Sequence, residues 1–422
     1  MITAAQFVAA PVYPAPAASA TSLRERILLV ILYVTILASS VAFIEPSPHD
    51  ALMGLLAVAA MIAGLRFDRI LTFPLLMLVL WNAGGLISLI NVAGEDKTIP
   101  YAATSVYLAI AALLFACIFA RNTMARLSAM RSAYLLTATL ISLVGIAGYF
   151  RLFPGAYDHF TMEGRVLGGF KDPNVYGPYL IWPALIVLER MMTRRIGFAD
   201  TVVVGILLFS LLLSFSRGAW FHFALSCAIM LALVFITAQT QNVRLRILAL
   251  SAIGVVAVAG LVVLLISFDS IGAMFKERAQ LLQSYDVGNG GRFTLQELAV
   301  GSVLDSPNGM GPFGFSSLNG TQQHNVYLQA FLVYGWVGGM VYVVLILGTL
   351  LVGLRTSLVR APWQPYAITA FATFVGEVAE GFIIDTDHWR HFFLLLGTIW
   401  GLAAATFNKD AYAPASNYVP RT

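Results

Sequence analysis

About twelve apolar runs divide this sequence, near residues 27–44, 51–65, 70–91, 101–120, 132–150, 175–189, 200–215, 218–239, 247–267, 324–354, 366–384 and 392–407. A helix crosses a bilayer with about 20 mostly apolar residues, so each run predicts a transmembrane helix. The second, sixth, seventh and twelfth runs are short, and the count can shift by one or two. Composition points the same way. Hydrophobic residues make up 59% of the 422 residues and charged residues 11%, against about 25% charged in soluble domains. Two or three soluble domains are excluded for want of charge to coat them, and so are disordered, collagenous and disulfide-scaffold chains. The expected fold class is an all-α polytopic membrane protein. The net charge of +4 does not argue for nucleic acid, because in a membrane protein the side on which basic residues lie carries the information. Cys117 and Cys227 lie in apolar runs and read as small buried hydrophobes.

The expected organisation is a disordered cytoplasmic tail over 1–22, a transmembrane domain over 23–407 and a cytoplasmic tail over 408–422. The Ala/Pro-rich start lacks the pattern of a secretory signal. Ser22 and Glu25 form a capping box for the first helix. One set of alternate loops holds Arg24, Arg26, Arg66, Arg69, Arg121, Arg126, Arg131, Arg190, Arg194, Arg195, Arg244, Arg246, Arg355, Arg360 and Lys409. The opposite set is less basic and more acidic. The positive-inside rule places the first set, and both termini, in the cytoplasm. The outer face then carries a long loop over 268–323 and a shorter one from Arg151 to Asp172, while inner loops are short. The chemistry is expected outside. No repeat divides the chain into matching halves, which weighs against a transporter.

Five outer stretches carry groups able to do chemistry. In Ser214-Phe215-Ser216-Arg217-Gly218-Ala219-Trp220 an arginine lies between two apolar spans. At a helix centre it would cost about 2.5–3.5 kcal/mol, so even near the interface it needs a partner. Taken alone it also reads as a snorkelling residue that fixes a tight turn. As an anion site it would be joined by the amides of a helix beginning at Gly218. In Asn289-Gly290-Gly291-Arg292-Phe293 the glycines permit close backbone approach. Arg292 then opens an amphipathic helix with Leu295, Leu298 and Ala299. In Gln322-Gln323-His324-Asn325-Val326-Tyr327, His324 starts the tenth span and can exchange protons near neutral pH.

Glu377 and Glu380 share a helix face, and acids in or near a membrane are functional candidates by default. The stretch that follows, Asp385-Thr386-Asp387-His388-Trp389-Arg390-His391, holds an Asp-x-Asp pair that could hold a divalent cation. Its blander reading is that the acids pair with Arg390 and neighbouring bases. Asp172-Pro173 is a helix start, and Lys171 before it would join the outer basic surface. The run Gly309-Met310-Gly311-Pro312-Phe313-Gly314-Phe315 follows no predicted strand and reads as a loop shaping the outer cavity, not a dinucleotide fingerprint. Tyr149, Phe150, Phe153, Tyr157, Phe160 and Trp389 read first as an interfacial aromatic belt and second as sugar-stacking surfaces.

The order of these motifs on one side, Ser-Arg-Gly-Ala-Trp, then Gly-Arg-Phe, then His-Asn-x-Tyr-Leu, resembles the O-antigen ligase and polysaccharide polymerase superfamily, best over Phe170 to Gly339. The resemblance implies a lipid-donor (GT-C-like) glycosyltransferase architecture in the bacterial inner membrane with a periplasmic active site. It implies transfer of a glycan from undecaprenyl pyrophosphate to a hydroxyl of another lipid-linked glycan or of the lipid A core, inverting and without metal or cofactor. Membrane lipid and other polysaccharide-assembly proteins would be partners; nucleic acid would not. By motif match Arg217 and Arg292 would bind the pyrophosphate and His324 would lie at the reacting centre. Lys171, Glu377, Glu380, His388 and Arg390 are the further substrate-binding candidates, with the two glutamates as reserve bases. The competing classes are a flippase of lipid-linked oligosaccharide and a peptidoglycan polymerase of the shape and division family.

Overall fold

The computed structural model describes residues 22–90, 92, 94–194, 196–278, 280, 288 and 290–407, with backbone only for 269–271. The expected tails at 1–22, except Ser22, and at 408–422 lie outside these residues, as do Arg195 and Asn289. The helices run, in chain order, α1 (Leu23–Leu37), α2 (Pro48–Ile62), α3 (Thr72–Leu89), α4 (Thr98–Phe119), α5 (Thr123–Tyr149), α6 (Ala156–Phe160), α7 (Pro173–Tyr179), α8 (Ile181–Thr193), α9 (Phe198–Leu213), α10 (Arg217–Thr237), α11 (Gln241–Ile266), α12 (Asp269–Arg278), α13 (Arg292–Asp305), α14 (Gly314–Asn319), α15 (Val326–Leu358), α16 (Gln364–Glu380) and α17 (Arg390–Phe407). A hairpin of β1 (Thr161–Met162) and β2 (Arg165–Val166) lies between α6 and α7.

Among the described residues seven helices are long and apolar enough to cross a membrane: α3 with the turn before it, α4, α5, α10, α11, α15 and α17. The chain is thus an all-α polytopic membrane protein. All twelve predicted runs fall on helical segments, but several are short. The run 27–44 is helical only to Leu37 and then tightens into a 3-10 turn. The run 175–189 divides at Leu180, between Pro178 and Pro183, since each proline removes a backbone donor. The segment 268–323, expected as a loop, contains α12, α13 and α14.

Polar side chains set where the helices begin. Asp172 accepts from the amide of Asn174 at 2.7 Å and Pro173 takes the first helical position, as the sequence predicted. The box at α1 is half-formed. Ser22 accepts from the Glu25 amide at 3.3 Å, but the Glu25 carboxylate turns to Arg126, which meets it with two bonds of 2.8 Å. A buried bidentate ion pair outcompetes a local bond to an exposed amide.

α15 packs along α3, α17 along α4, and α10 along α16. α17 is almost wholly enclosed, whereas α11 leaves nearly its whole apolar surface open. α15 breaks at Gly335, whose φ of 70° and ψ of −178° are non-helical. The backbone groups freed there find partners outside the helix. The Leu332 carbonyl accepts from Met310 N at 2.6 Å, the Trp336 amide donates to the Pro307 carbonyl at 2.9 Å, and Ser88 Oγ donates to the Val333 carbonyl. The glycine-rich run therefore seals a helix break. Gly309 and Gly311, both at positive φ, lie where a Cβ would meet α15 and α3 backbone.

Candidate functional site

The first arginine stands at the turn between α9 and α10. Phe215 takes φ of 47° and buries its ring. Arg165 holds the turn from the hairpin, donating to the Ser214 carbonyl at 3.0 Å and to Asn174 Oδ1 at 2.7 Å. Ser216 caps α10 by accepting from Ala219 N at 3.3 Å. The helix therefore begins at Arg217 itself, one residue before the predicted start. Arg217 Nη1 donates to the Gln280 carbonyl at 2.8 Å.

The second arginine opens α13 as expected. Leu295 and Ala299 are buried beneath it against Leu332 and Phe315, but Leu298, expected on the same face, is exposed. One turn on, Gln296 Nε2 reaches the His324 carbonyl at 3.4 Å and the Phe382 carbonyl at 3.3 Å.

His324 lies just before α15. Asn325 is the cap, accepting from the amides of Tyr327 and Leu328 at 3.0 and 3.2 Å. His324 is thereby held outside the helix, at φ of 52°, with its ring half-exposed. Its Nδ1 lies 3.8 Å from Asp385 Oδ2. Burial lowers the basicity of His324, and the Arg292 charge lowers it further, while Asp172 opposes them. Burial and the charge of Asp387 push the Asp385 carboxyl up to about 8, against the Asn325 amide and Arg292. The loop after α16 is fastened to this corner: Asn325 Nδ2 donates to the Phe382 carbonyl at 3.2 Å and Val326 N to the Gly381 carbonyl at 2.8 Å.

Residues 202–343 match the family model described as O-antigen ligase, a stretch that runs from α9 into α15 and contains Arg217, Arg292 and His324. Over this stretch, about a third of its length, the chain is similar to the O-antigen ligase family. No curated protein matches it.

Outside the matched O-antigen ligase stretch, the other candidates have their own partners. Lys171 Nζ is 2.9 Å from Glu45 Oε1. Arg390 is not the partner of the nearby acids: it grips Asp50 on α2 with bonds of 2.8 and 2.7 Å. Asp385 and Asp387 have different partners. Asp387 accepts from the Tyr101 hydroxyl at 2.7 Å and lies 3.1 Å from His388 Nδ1. His388 Nε2 meets Ser105 Oγ at 3.0 Å. His388, Arg390 and His391 line a cavity of about 50 Å³ with His49, Phe170 and Tyr179. Trp389, placed in the aromatic belt by sequence, is buried beside His391.

Glu377 and Glu380 are both fully enclosed, at 0% and 1% exposure, which leaves no open side to a substrate. Glu377 Oε1 approaches His391 Nε2 at 3.3 Å without hydrogen-bond alignment. Glu380 Oε2 lies 2.8 Å from Nδ1 of His222. His222 on α10 is a lone histidine within an apolar run, a pattern that reads as core in the sequence, and no local signal there joins it to Glu380. Asp385 stood in the Asp-x-Asp pair, and nothing local in the sequence joined it to His324.

Proposed function

We propose that this protein transfers a glycan from undecaprenyl pyrophosphate to an acceptor hydroxyl at the periplasmic face of the bacterial inner membrane, with inversion at the anomeric carbon. The observation that carries this reading is the half-exposed imidazole of His324 beside the Asp385 carboxyl group, both under the influence of the Arg292 charge, in a chain whose 202–343 stretch is similar to the O-antigen ligase family. Pyrophosphate is a good leaving group, so the barrier falls mainly by meeting the charge that develops on it. Arg217 and Arg292 supply that charge. Guanidinium groups bind phosphate oxygens in pairs, and unit charges about 4 Å apart interact by about 4 kcal/mol at an effective dielectric near 20. Two such contacts stand in for a metal ion.

His324 faces the acceptor. Burial and Arg292 favour its neutral ring, which is the form able to take the hydroxyl proton. Asp385 lies beside the ring and, in its ionised form, stabilises the imidazolium that results. The acceptor reading favours another lipid-linked glycan, making the protein a polymerase of surface or exopolysaccharide; ligation to the lipid A core is the second reading. Both termini are cytoplasmic in this scheme. A flippase is the alternative of a different class, and it gives no role to an imidazole at the outer face.

The deciding experiment is a gel of surface polysaccharide from a deletion strain complemented with wild type or His324→Ala. Loss of long chains with single repeat units retained on the lipid core identifies a polymerase. Loss of all core-attached glycan with long lipid-linked chains accumulating identifies a ligase. Normal polysaccharide from His324→Ala overturns the proposed chemistry.

A further inference from the structure

His222 and Glu380 meet at the interface of α10 and α16, with His222 at 0% and Glu380 at 1% exposure. The imidazole is held at both nitrogens. Nε2 lies 2.9 Å from the Thr373 carbonyl, which can only accept, so Nε2 carries a hydrogen and donates. Nδ1 lies 2.8 Å from Glu380 Oε2. Lone pairs on both atoms would repel, so one proton lies between them, and whichever atom owns it the contact is a hydrogen bond. The backbones here leave no slack. A Cβ on Gly376 would fall 2.3 Å from His222 Cδ2, and one on Gly218 would fall 2.7 Å from Glu380 Oε1. Gly218 directly follows Arg217, so Glu380 is seated against the first turn of the helix that presents this arginine.

The same end of α16 fastens the other two groups. After Glu380 the chain turns at Gly381, whose carbonyl accepts from Val326 N, and Phe382, whose carbonyl accepts from Asn325 Nδ2 and Gln296 Nε2. Asn325 adjoins His324, and Gln296 lies one turn from Arg292. The last turn of α16 is thus a common anchor for α10, α13 and the start of α15. Removing the His222–Glu380 bond would leave buried polar groups without partners and free α10 to shift along α16.

We infer that His222 and Glu380 are positioning residues, which fix Arg217 relative to Arg292 and His324 by pinning α10 to the end of α16. This rests on the reading of Arg217 as a pyrophosphate ligand. Neither side chain touches substrate.

A kinetic cycle on the full-length protein tests it, using as donor the lipid-linked glycan fraction extracted from the deletion strain. His222→Ala and Glu380→Ala should each lower kcat by roughly 10- to 100-fold, the scale of a misplaced catalytic contact, with a smaller change in the donor KM. Glu380→Gln can still donate to Nδ1 and should stay within about threefold of wild type. In an Arg217→Lys background the alanine variants should lose less than about threefold further, because residues acting through one group do not combine as independent sites do. Should the alanine variants fail to accumulate, His222→Gln fills the space and keeps one partner, and it should show the same dependence on Arg217. Equal losses in both backgrounds, or wild-type kcat from Glu380→Ala or His222→Gln, overturn the positioning role. Normal transfer by Arg217→Ala overturns instead the pyrophosphate reading beneath it.

Discussion

His324 Nδ1 lies 3.8 Å from Asp385 Oδ2, although the whole of α15 and α16 separates the two residues in sequence. The contact exists because the loop after α16 folds back over the start of α15, where the Gly381 and Phe382 carbonyls accept from Val326 and Asn325. A proton-exchanging ring is thereby placed beside a carboxyl group at the start of α15.

The pair predicts a pH profile with two rises. Transfer should fall on acidification as His324 protonates, and because burial and Arg292 lower its basicity the midpoint should lie below the ordinary value of about 6.5. Asp385 ionises near pH 8, and its negative charge then favours the imidazolium formed in the reaction. The wild-type rate should therefore rise again through about pH 8. Asp385→Asn should lack that upper rise while keeping the acid limb. Initial rates between pH 5 and 9.5 would check both limbs, and an unchanged profile in Asp385→Asn would remove Asp385 from the chemistry.

Arg217→Ala and Arg292→Ala should each cut transfer by roughly 10²- to 10³-fold, the scale for losing one electrostatic contact to a developing charge, while the protein still inserts. Lysine at either position should recover only part, since it keeps the charge and loses the two-pronged geometry. Rates on protein matched for membrane content decide this. Full transfer by both alanine variants would refute the anion site.

Chelation should leave the rate of purified protein unchanged, because two guanidinium groups carry the charge compensation in the proposed scheme. Loss of activity restored by a divalent ion would redirect attention to Asp385 and Asp387.

Asn325→Ala removes the side chain that caps α15 and ties it to Phe382. Loss of a cap costs about 1 kcal/mol, and here the His324 backbone loosens with it. A lower Tm by light-scattering or tryptophan fluorescence, together with reduced transfer, is the expected result. An unchanged Tm would show that the helix start is held by its other contacts.

Gly335→Ala should be more damaging than an ordinary glycine replacement. At φ of 70° the new Cβ would lie 2.8 Å from the Pro307 carbonyl, the group that satisfies the Trp336 amide. Strain of this kind costs about 1–3 kcal/mol. Poor accumulation or a clear fall in Tm is expected, and wild-type stability would mean that the 306–311 loop moves aside freely.

By itself the sequence determined what depends on neighbours along the chain. Apolar runs long enough for lipid specify helices, and Asp172-Pro173 marks a helix start wherever the helix later packs. The Arg217, Arg292, His324 order carried the resemblance to the O-antigen ligase family, and the stretch that matches the family model contains all three. Tertiary structure alone decided the pairings between helices. The preference of a buried charge or donor is fixed by its chemistry, but the partner that satisfies it depends on which helices come to lie side by side. Arg390 chose Asp50 over the acids beside it, Glu25 chose Arg126 over its own cap, and His222 found Glu380 across the α10–α16 seam. The glycine-rich 309–315 run shows the same division. Its need for unusual dihedrals is local and legible, whereas its task, sealing the break at Gly335, arises only because α15 loses its own backbone bonds at that depth and the loop supplies replacements.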